Sequence, residues 1–526
     1  MPRLRTAAAA TLLVVPMVAG GFLLQETPAR ANALLFDQVM SLVRNQYVDS
    51  VPVALGYEKA ARGLVRELND PYSELLSPKQ SEDFNRNTGG RYGGTGMTIV
   101  ESSPGVFVVE RVFPNTPAEE AGVREGDHIV SVENTPTATL DINKVSGMLR
   151  GEPGSQVMVT YSRPSVSEPI KIKFTRRIVR IPAVPFSTLL ADHIGYIPLQ
   201  TFNENAADEV AESVEKLESD GAKGIVLDMR DNGGGIVDQA LKTSSLFLRD
   251  GQEISSVRSR NQPTEVLRSS GRHLALTTPL VVLVDGGSAS ATEIVAGALQ
   301  DHDRALVIGT NSFGKGLVQS VYQLQGGYQL KITTGKWFTP SGRSIHRERK
   351  LLPTGAFVEV NPDSLATKAR PTFKSDGGRV VYGGGGIRPD ILVSDDTITT
   401  AEREFLRAAA SQFQAVNGVL QSYALELKGT VARDFTAPES WTPELMRRLA
   451  TAGVKIAPAN DSAARVVLSR DLANRVARMS FGDAAAKSRL LPEDHQLLRA
   501  VELLEKSTTQ AQLLAAASPA QNSARK

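Results

Sequence analysis

Five consecutive apolar residues, Leu280 to Val284, run into Asp285-Gly286-Gly287 and then into a segment whose apolar residues recur at helical spacing. A valine-rich run that short, bounded by glycines, reads as a strand buried on both faces. The stretch from Ser290 to Gln300 then places Ile294, Ala298 and Leu299 on one side of a helix, which makes Ser290 its first residue. A hydroxyl at that point faces unpaired backbone N–H groups and the positive end of the dipole, which suits a plain N-cap or a nucleophile whose product oxyanion needs donors. Ala305 to Gly309 is a second short buried strand, and the turn after it carries Phe313-Gly314-Lys315-Gly316. A lysine packed between glycines loses solvation and its pKa falls, so that a neutral amine can take a proton from a hydroxyl. Read locally, both residues stay open to a bland account: a capping serine and a surface lysine in a turn.

The length, 526 residues, calls for two or three domains rather than one core. The net charge of +2 gives no steering toward phosphate, and no basic cluster is interleaved with aromatics, so nucleic acid is excluded as a partner. Cysteine is absent, which removes disulfides and thiolate chemistry. The six histidines show no ligand spacing, so no metal and no cofactor are expected, and Asp301-His302-Asp303 reads as a solvated helix end.

Residues 1–33 differ in kind. Arg3 and Arg5 precede an apolar region from Ala7 to Leu24, and small residues follow in Ala29-Arg30-Ala31 and Ala31-Asn32-Ala33. That is the pattern of a secretory signal peptide with two A-x-A cleavage points, and the competing reading is an uncleaved membrane anchor. The expected location is therefore a bacterial periplasm or cell envelope, with membrane contact only through this segment if it is kept.

Leu34 to Tyr47 and Tyr57 to Leu68 carry the spacing of two amphipathic helices. From Gly89 to about Thr175 the texture becomes short alternating runs broken by glycines. Gly93-Gly94-Thr95-Gly96-Met97-Thr98-Ile99 joins a glycine turn to a strand, whose free N–H groups suit a terminal carboxylate while the strand edge pairs with an extended peptide. Ile194 to Leu199 opens a further strand, Thr201 and Glu204 read as a capping box for the helix after it, and Gly224 to Met229 is a buried strand running into Asp228-Met229-Arg230-Asp231-Asn232-Gly233-Gly234-Gly235. That outline is also the outline of a phosphate loop, but no Lys-Ser or Lys-Thr completes one. Beyond about residue 398 the chain reads as helical, with Asp494 starting a helix that carries Leu497, Val501 and Leu504; Ser507 onward is polar and small, and the extreme end is expected to be disordered. This tail is expected to pack on the rest of the chain or, with a slight preference, to pair with another protomer.

Several of these segments, in this order, resemble the carboxy-terminal processing peptidases, a family of Ser-Lys serine endopeptidases with an inserted PDZ domain. The pattern S-A-S-A-[ST]-E-I is met by Ser288-Ala289-Ser290-Ala291-Thr292-Glu293-Ile294, and F-G-K-G-x-x-Q by Phe313-Gly314-Lys315-Gly316-Leu317-Val318-Gln319. Thr116 to Val130 meets the PDZ pattern P-A-x-x-A-G-[VL]-x-x-G-D-x-I, and Asp228 to Gly235 meets D-x-R-x-N-x-G-G. The resemblance implies an α/β multidomain chain: a β/α protease core of the ClpP/crotonase type with an inserted PDZ domain, N-terminal helices and a helical C-terminal extension. The boundaries expected are 1–33 for the signal, 34–88 for N-terminal helices, 89–178 for the PDZ domain, 179–397 for the protease core and 398–526 for the extension.

By the same resemblance Ser290 is the nucleophile, Ser288 a decoy, Lys315 the base and Gln319 the residue that holds the lysine. The oxyanion hole falls to the amides of Ala291 and one glycine, Gly234 before Gly233. Gly94, Thr95, Gly96, Met97 and Ile99 bind the peptide. The partners implied are protein substrates with exposed apolar C-termini, an adaptor protein and further copies of the chain. An inert PDZ scaffold is the alternative, and intact Ser290, Lys315 and Gln319 count against it. A Ser-His-Asp esterase would need G-x-S-x-G, which Gly286-Gly287-Ser288-Ala289-Ser290 lacks.

Overall fold

The computed structural model describes residues 28–163, 166–190, 193–351, 357–359, 370–394 and 399–517. The apolar region of the expected signal segment and the chain end from residue 518 lie outside them. The described residues fall into two compact units. The smaller comprises the described residues up to Ser77 together with those of Val321–Ile332 and Lys350–Phe357. Its helices, Pro28–Gln46 and Val53–Arg66, expose much of the apolar side that their spacing creates, Leu35, Leu42 and Leu64 among others. Strand Glu74–Leu76 pairs antiparallel with residues 329–331, and Arg62 donates to the Leu75 carbonyl at 2.8 Å.

The larger unit is built around a sheet in which four strands run parallel, Ile194–Pro198, Gly224–Asp228, Leu280–Val284 and Leu306–Gly309, with Ile391–Leu392 added at one edge and Thr188–Leu189 antiparallel at the other. Every residue of the four central strands is buried, as continuous apolar runs require. Helices Ala206–Ser219, Val237–Ser245 and Ala291–Asp301 cover one face, against Ile225, Leu227, Val282 and Val284. The other face, with Val226, Val281, Leu283 and Ile308, is covered by helices His495–Glu505 and Gln510–Ala516 through Leu497, Val501, Leu504 and Leu513. Of the two expected roles of the tail, packing on the rest of the chain is the one these helices fill, and the small polar stretch after Ser507 includes the second of them.

Two local expectations also give way. The helix after Phe202 begins at Ala206 with Asn205 as its cap, because the Gln239 side chain satisfies the amide of Ala207 at 3.0 Å and no Thr201 box is needed. Asp301 is not solvated: it is 1% exposed and pairs with Arg343, itself fully buried, at 2.6 Å.

Inserted ahead of this sheet is an antiparallel one, with strand order Met97–Ser103, Val106–Val112, His128–Val132, Gln156–Arg163, Val166–Thr175 and its own core of Phe107, Val109, Val157, Val159, Tyr161 and Phe174. Met97–Ser103 is an edge strand with helix Ile142–Leu149 beside it. Helices Phe413–Leu427, Trp441–Thr451 and Asp461–Phe481 share a core of their own around Leu420, Leu445 and Leu472, and the first of them packs on the same strand, with Gln414 Nε2 at 3.2 Å from the Glu101 carboxylate.

Candidate active site

The parallel register aligns the C-terminal ends of three strands, with Asp228 opposite Leu283 and Val284 opposite Gly309. The loops leaving those ends carry residues 231–235, 285–290 and 310–316, so the segments singled out in the sequence converge where open α/β sheets place their ligands. They are stitched together by the backbone. The Ala289 amide donates to the Asn232 carbonyl at 3.0 Å, the Thr292 hydroxyl to the same carbonyl at 2.8 Å, and the Phe313 amide to the Ser288 carbonyl at 2.9 Å.

Ser290 caps helix Ala291–Asp301 with φ 58 and ψ −113. That is a strained conformation for a residue with a side chain, of order 1–3 kcal/mol, and it persists only where neighbours impose it. Glu293, one turn along, is the neighbour. Fully buried, its carboxylate accepts from the amides of Ser290 and Lys315 on Oε2, both at 2.8 Å, and from the Gly314 amide at 2.7 Å and the Ser312 hydroxyl at 2.5 Å on Oε1. The backbone nitrogens of Ser290 and Lys315 are therefore no further apart than about twice 2.8 Å, although 25 positions separate them in the chain. Burial pushes the Glu293 carboxyl up, and the four hydrogen bonds oppose that shift.

Ser288 and Ser290 are placed differently. Ser288 is fully buried, and its hydroxyl donates to the Met229 carbonyl at 2.8 Å and accepts from the Asp285 amide at 3.0 Å, which makes it part of the turn. Asp285 organises that turn, its Oδ1 accepting from the amides of Asp231, Gly287 and Ser288 at 2.9, 2.9 and 3.0 Å. Ser290 is half-buried. Lys315 is half-buried too, its carbonyl accepting from the Trp337 indole at 3.1 Å. Gln319 lies on strand Leu317–Gln323, and its amide nitrogen is 3.4 Å from the Thr333 hydroxyl.

At the expected oxyanion hole, Gly234 has φ 96, and a Cβ there would come within 2.6 Å of the Ala289 carbonyl and 2.9 Å of the Ala291 amide, so only glycine fits. Its own amide, however, donates to Asn232 Oδ1 at 2.9 Å. The Gly234 N–H expected at the hole is thus engaged in this structure: Asn232, fully buried and anchored to the Leu199 carbonyl at 2.7 Å, takes it. What Gly234 supplies in this state is the close approach of its Cα to Ala291. Ala291 is the first residue of the helix, where an amide has no partner within the helix itself.

The second group of expected residues surrounds the edge strand. Gly96 has φ 90, and its carbonyl accepts from the Phe113 amide at 2.9 Å and the Thr116 hydroxyl at 3.2 Å, which folds the loop back on itself. A groove of about 270 Å³ runs between the strand and helix Ile142–Leu149, lined by Thr95, Met97, Ile99, Leu149, Arg150 and Tyr92 among others. Gly94 is buried and stands outside that lining. Arg150 lies over the Tyr92 ring at 5.7 Å, so a cation stands at the groove. Among the described residues no group of acidic, histidine or cysteine side chains is arranged to hold a metal ion, and no helix is long and apolar enough to cross a membrane.

Sequence reasoning missed Glu293 as a link, Asn232 as the partner of Gly234, and Asp285 as the organiser of the serine turn. The signal for the first was present: Ser290-Ala291-Thr292-Glu293 has the S-x-x-E spacing of a capping box.

Comparison with known proteins identifies chains to which this one is similar. The sequence model of peptidase family S41 matches residues 193–363 and that of the PDZ domain residues 108–163. A carboxy-terminal-processing protease of Bartonella bacilliformis is 37% identical over 316 residues, covering 59% of this chain and 71% of its own length. The carboxy-terminal processing protease CtpA of Bacillus subtilis is 30% identical over 346 residues, covering 65% of this chain and 73% of that protein. Among solved structures, a photosystem II D1 C-terminal processing protease is 32% identical, with 59% of this chain and 83% of that one covered and a TM-score of 0.35.

Proposed function

Since the chain belongs to peptidase family S41, the carboxy-terminal processing serine proteases, and carries a PDZ domain, we propose that Ser290 and Lys315 are its nucleophile and base and that the PDZ groove takes the C-terminal tail of a protein substrate. The observation that carries this reading is the Glu293 carboxylate, which binds the backbone of both residues at once. In the reaction, Ser290 Oγ attacks the scissile carbonyl carbon and its proton passes to a neutral Lys315 Nζ. The negative oxygen of the tetrahedral species meets the Ala291 amide at the positive end of the helix. Collapse breaks the C–N bond, the amine leaves with the proton from Lys315, and water then releases the acyl group from Ser290 by the same exchange. The Gly234 amide joins the hole only if Asn232 Oδ1 gives it up, and Gln319 steadies the lysine from the adjoining strand.

The tail enters as an added strand along Met97 to Ile99, ahead of the part of the strand on which helix Phe413–Leu427 packs, with its carboxylate at the loop of Gly94 to Gly96 and its side chains toward Met97 and Ile99. Arg150 adds positive charge at the groove. The Arg-flanked apolar start of the chain supports export, with the periplasm or cell envelope as the site of action.

The test is cleavage of an unstructured protein with an apolar C-terminus by the parent, Ser290→Ala, Ser288→Ala and Lys315→Ala. Ser290→Ala and Lys315→Ala are expected to lose cleavage while keeping the parent's unfolding profile, and activity of the parent is expected to rise with pH as the lysine loses its proton. A Lys315→Ala protein as active as the parent would show that the base lies elsewhere.

A further inference from the structure

The C-terminal extension reaches the strand end that leads into the glycine loop, and it does so chiefly through one carboxylate. Asp494 caps helix His495–Glu505, accepting from the Leu497 amide at 3.0 Å. Its two oxygens also accept from Nη1 and Nη2 of Arg230, each at 2.8 Å. The other edge of that guanidinium is held by Asp228, at 2.9 Å to Nε and 2.6 Å to Nη2. Lys487 Nζ stands 2.6 Å from Asp494, and the Tyr196 hydroxyl donates to Asp228 at 2.8 Å. Two carboxylates thus face one guanidinium and one ammonium in a largely buried cluster whose charges cancel. Burial alone would raise the Asp494 carboxyl, but the cations outweigh it and hold the group well below the usual range.

The Arg230 side chain is largely buried, yet it borders a cavity of about 650 Å³, whose walls also include Lys487, Gln496, Asp231 and Asp285. Its hydrogen bonds set where the guanidinium lies against that space, and the residues directly after Arg230 form the loop on whose shape the site depends. Asp231 turns left-handed with φ 55, Asn232 holds both the Leu199 carbonyl and the Gly234 amide, and the Gly234 Cα rests against Ala289 to Ala291.

We propose that Asp494 is a positioning residue of the peptidase reaction, holding Arg230 so that residues 231–235 keep their shape against Ser290 and Ala291. This rests on the reading of Ser290 as nucleophile. Without the Asp494 charge, Arg230 and Lys487 are left as two cations sharing Asp228. The cavity then gives the guanidinium a path toward Asp231 and Asp285, whose like charges already oppose one another and hold the Asp231 carboxyl up. Asp285 shapes the turn up to Ser288, so that shift disturbs both walls of the site. The extension, 264 positions away from Arg230, is on this account part of what makes the site competent.

The experiment is steady-state hydrolysis by the full chain carrying Asp494→Asn, beside the parent and Ser290→Ala. Asparagine caps a helix about as well as aspartate, so a role confined to helix docking predicts parental kinetics. Positioning predicts kcat lower on the order of tenfold or more, with KM within about twofold, and recovery of most of the loss in Asp494→Glu. Parental kcat in Asp494→Asn, or a change confined to KM, overturns the proposal. Were Asp494→Asn not to fold, Arg230→Lys serves. It keeps a cation between Asp228 and Asp494 but loses the two-pronged hold of Asp494 on Nη1 and Nη2, so a fall in kcat at constant KM supports the proposal and an unchanged kcat overturns it. Failure of the underlying assignment looks different: Ser290→Ala would then cleave like the parent.

Discussion

Replacing Glu293 by glutamine changes neither size nor shape, yet it reaches both halves of the site. Four donors converge on the carboxylate, two on each oxygen. An amide offers one oxygen and one NH2 group. With the NH2 toward Ser290 and Lys315 two amide donors meet hydrogens, whereas with it toward Ser312 and Gly314 the Ser312 hydroxyl turns to accept and only the Gly314 amide is left, so the amide takes the second orientation. A buried donor left without an acceptor costs about 1–3 kcal/mol in local stability. With a factor of ten per 1.4 kcal/mol, opening of this segment becomes roughly fivefold to 140-fold easier. The assay is amide hydrogen exchange, read at Ser290, Gly314 and Lys315 against core amides of the PDZ sheet such as Val157 and Val159. The first three are expected to exchange faster by that factor while the sheet stays at parental rates, and cleavage is expected to fall with them as the strained φ of Ser290 relaxes. Parental exchange at all three amides, together with cleavage within twofold of the parent, would refute the idea that this carboxylate holds the two segments together.

Gly234→Ala is expected to abolish cleavage, because the new Cβ would stand 2.6 Å from the Ala289 carbonyl at a φ that alanine resists; turnover within tenfold of the parent would show that the loop yields. Leu504→Ala, deep against the second face of the parallel sheet, is expected to lower stability by about 2–5 kcal/mol, seen as a lower urea midpoint and refuted by an unchanged one. The ion pairs of Asp494 set a pH window. Because its folded pKa is depressed, its contribution is complete above the ordinary carboxylate value of about 3.9 and is lost as pH falls below that toward the depressed value. The melting-temperature gap between the parent and Asp494→Asn should accordingly be constant from pH 7 to 5 and close in stronger acid, and a gap that widens there would contradict the sign.

What was legible in the sequence was local. The buried runs 224–228, 280–284 and 306–309 state their strands, the glycine turns state where those end, and the chemistry sits in the loops between, so the order of motifs already gives the order of the site. What stayed hidden is carried by side chains that act over long separations. Glu293 looks like an ordinary helix residue until its second oxygen meets Ser312 and Gly314, and Asn232 shows nothing in sequence of its hold on the Gly234 amide. The C-terminal helices stand between these cases. Their apolar spacing at Leu497, Val501 and Leu504 was plain, while its partner was not. Yet the strands contained the answer. Val281 and Leu283 are as apolar as Val282 and Val284, so both faces of the sheet demand cover, and the three helices threaded between the parallel strands all lie on one face. A sheet that is apolar on both sides, with helices accounted for on one, requires a further apolar helix from elsewhere in the chain. The segment from His495 to Ala516 meets that requirement, and it brings Asp494 to the strand end where the glycine loop begins.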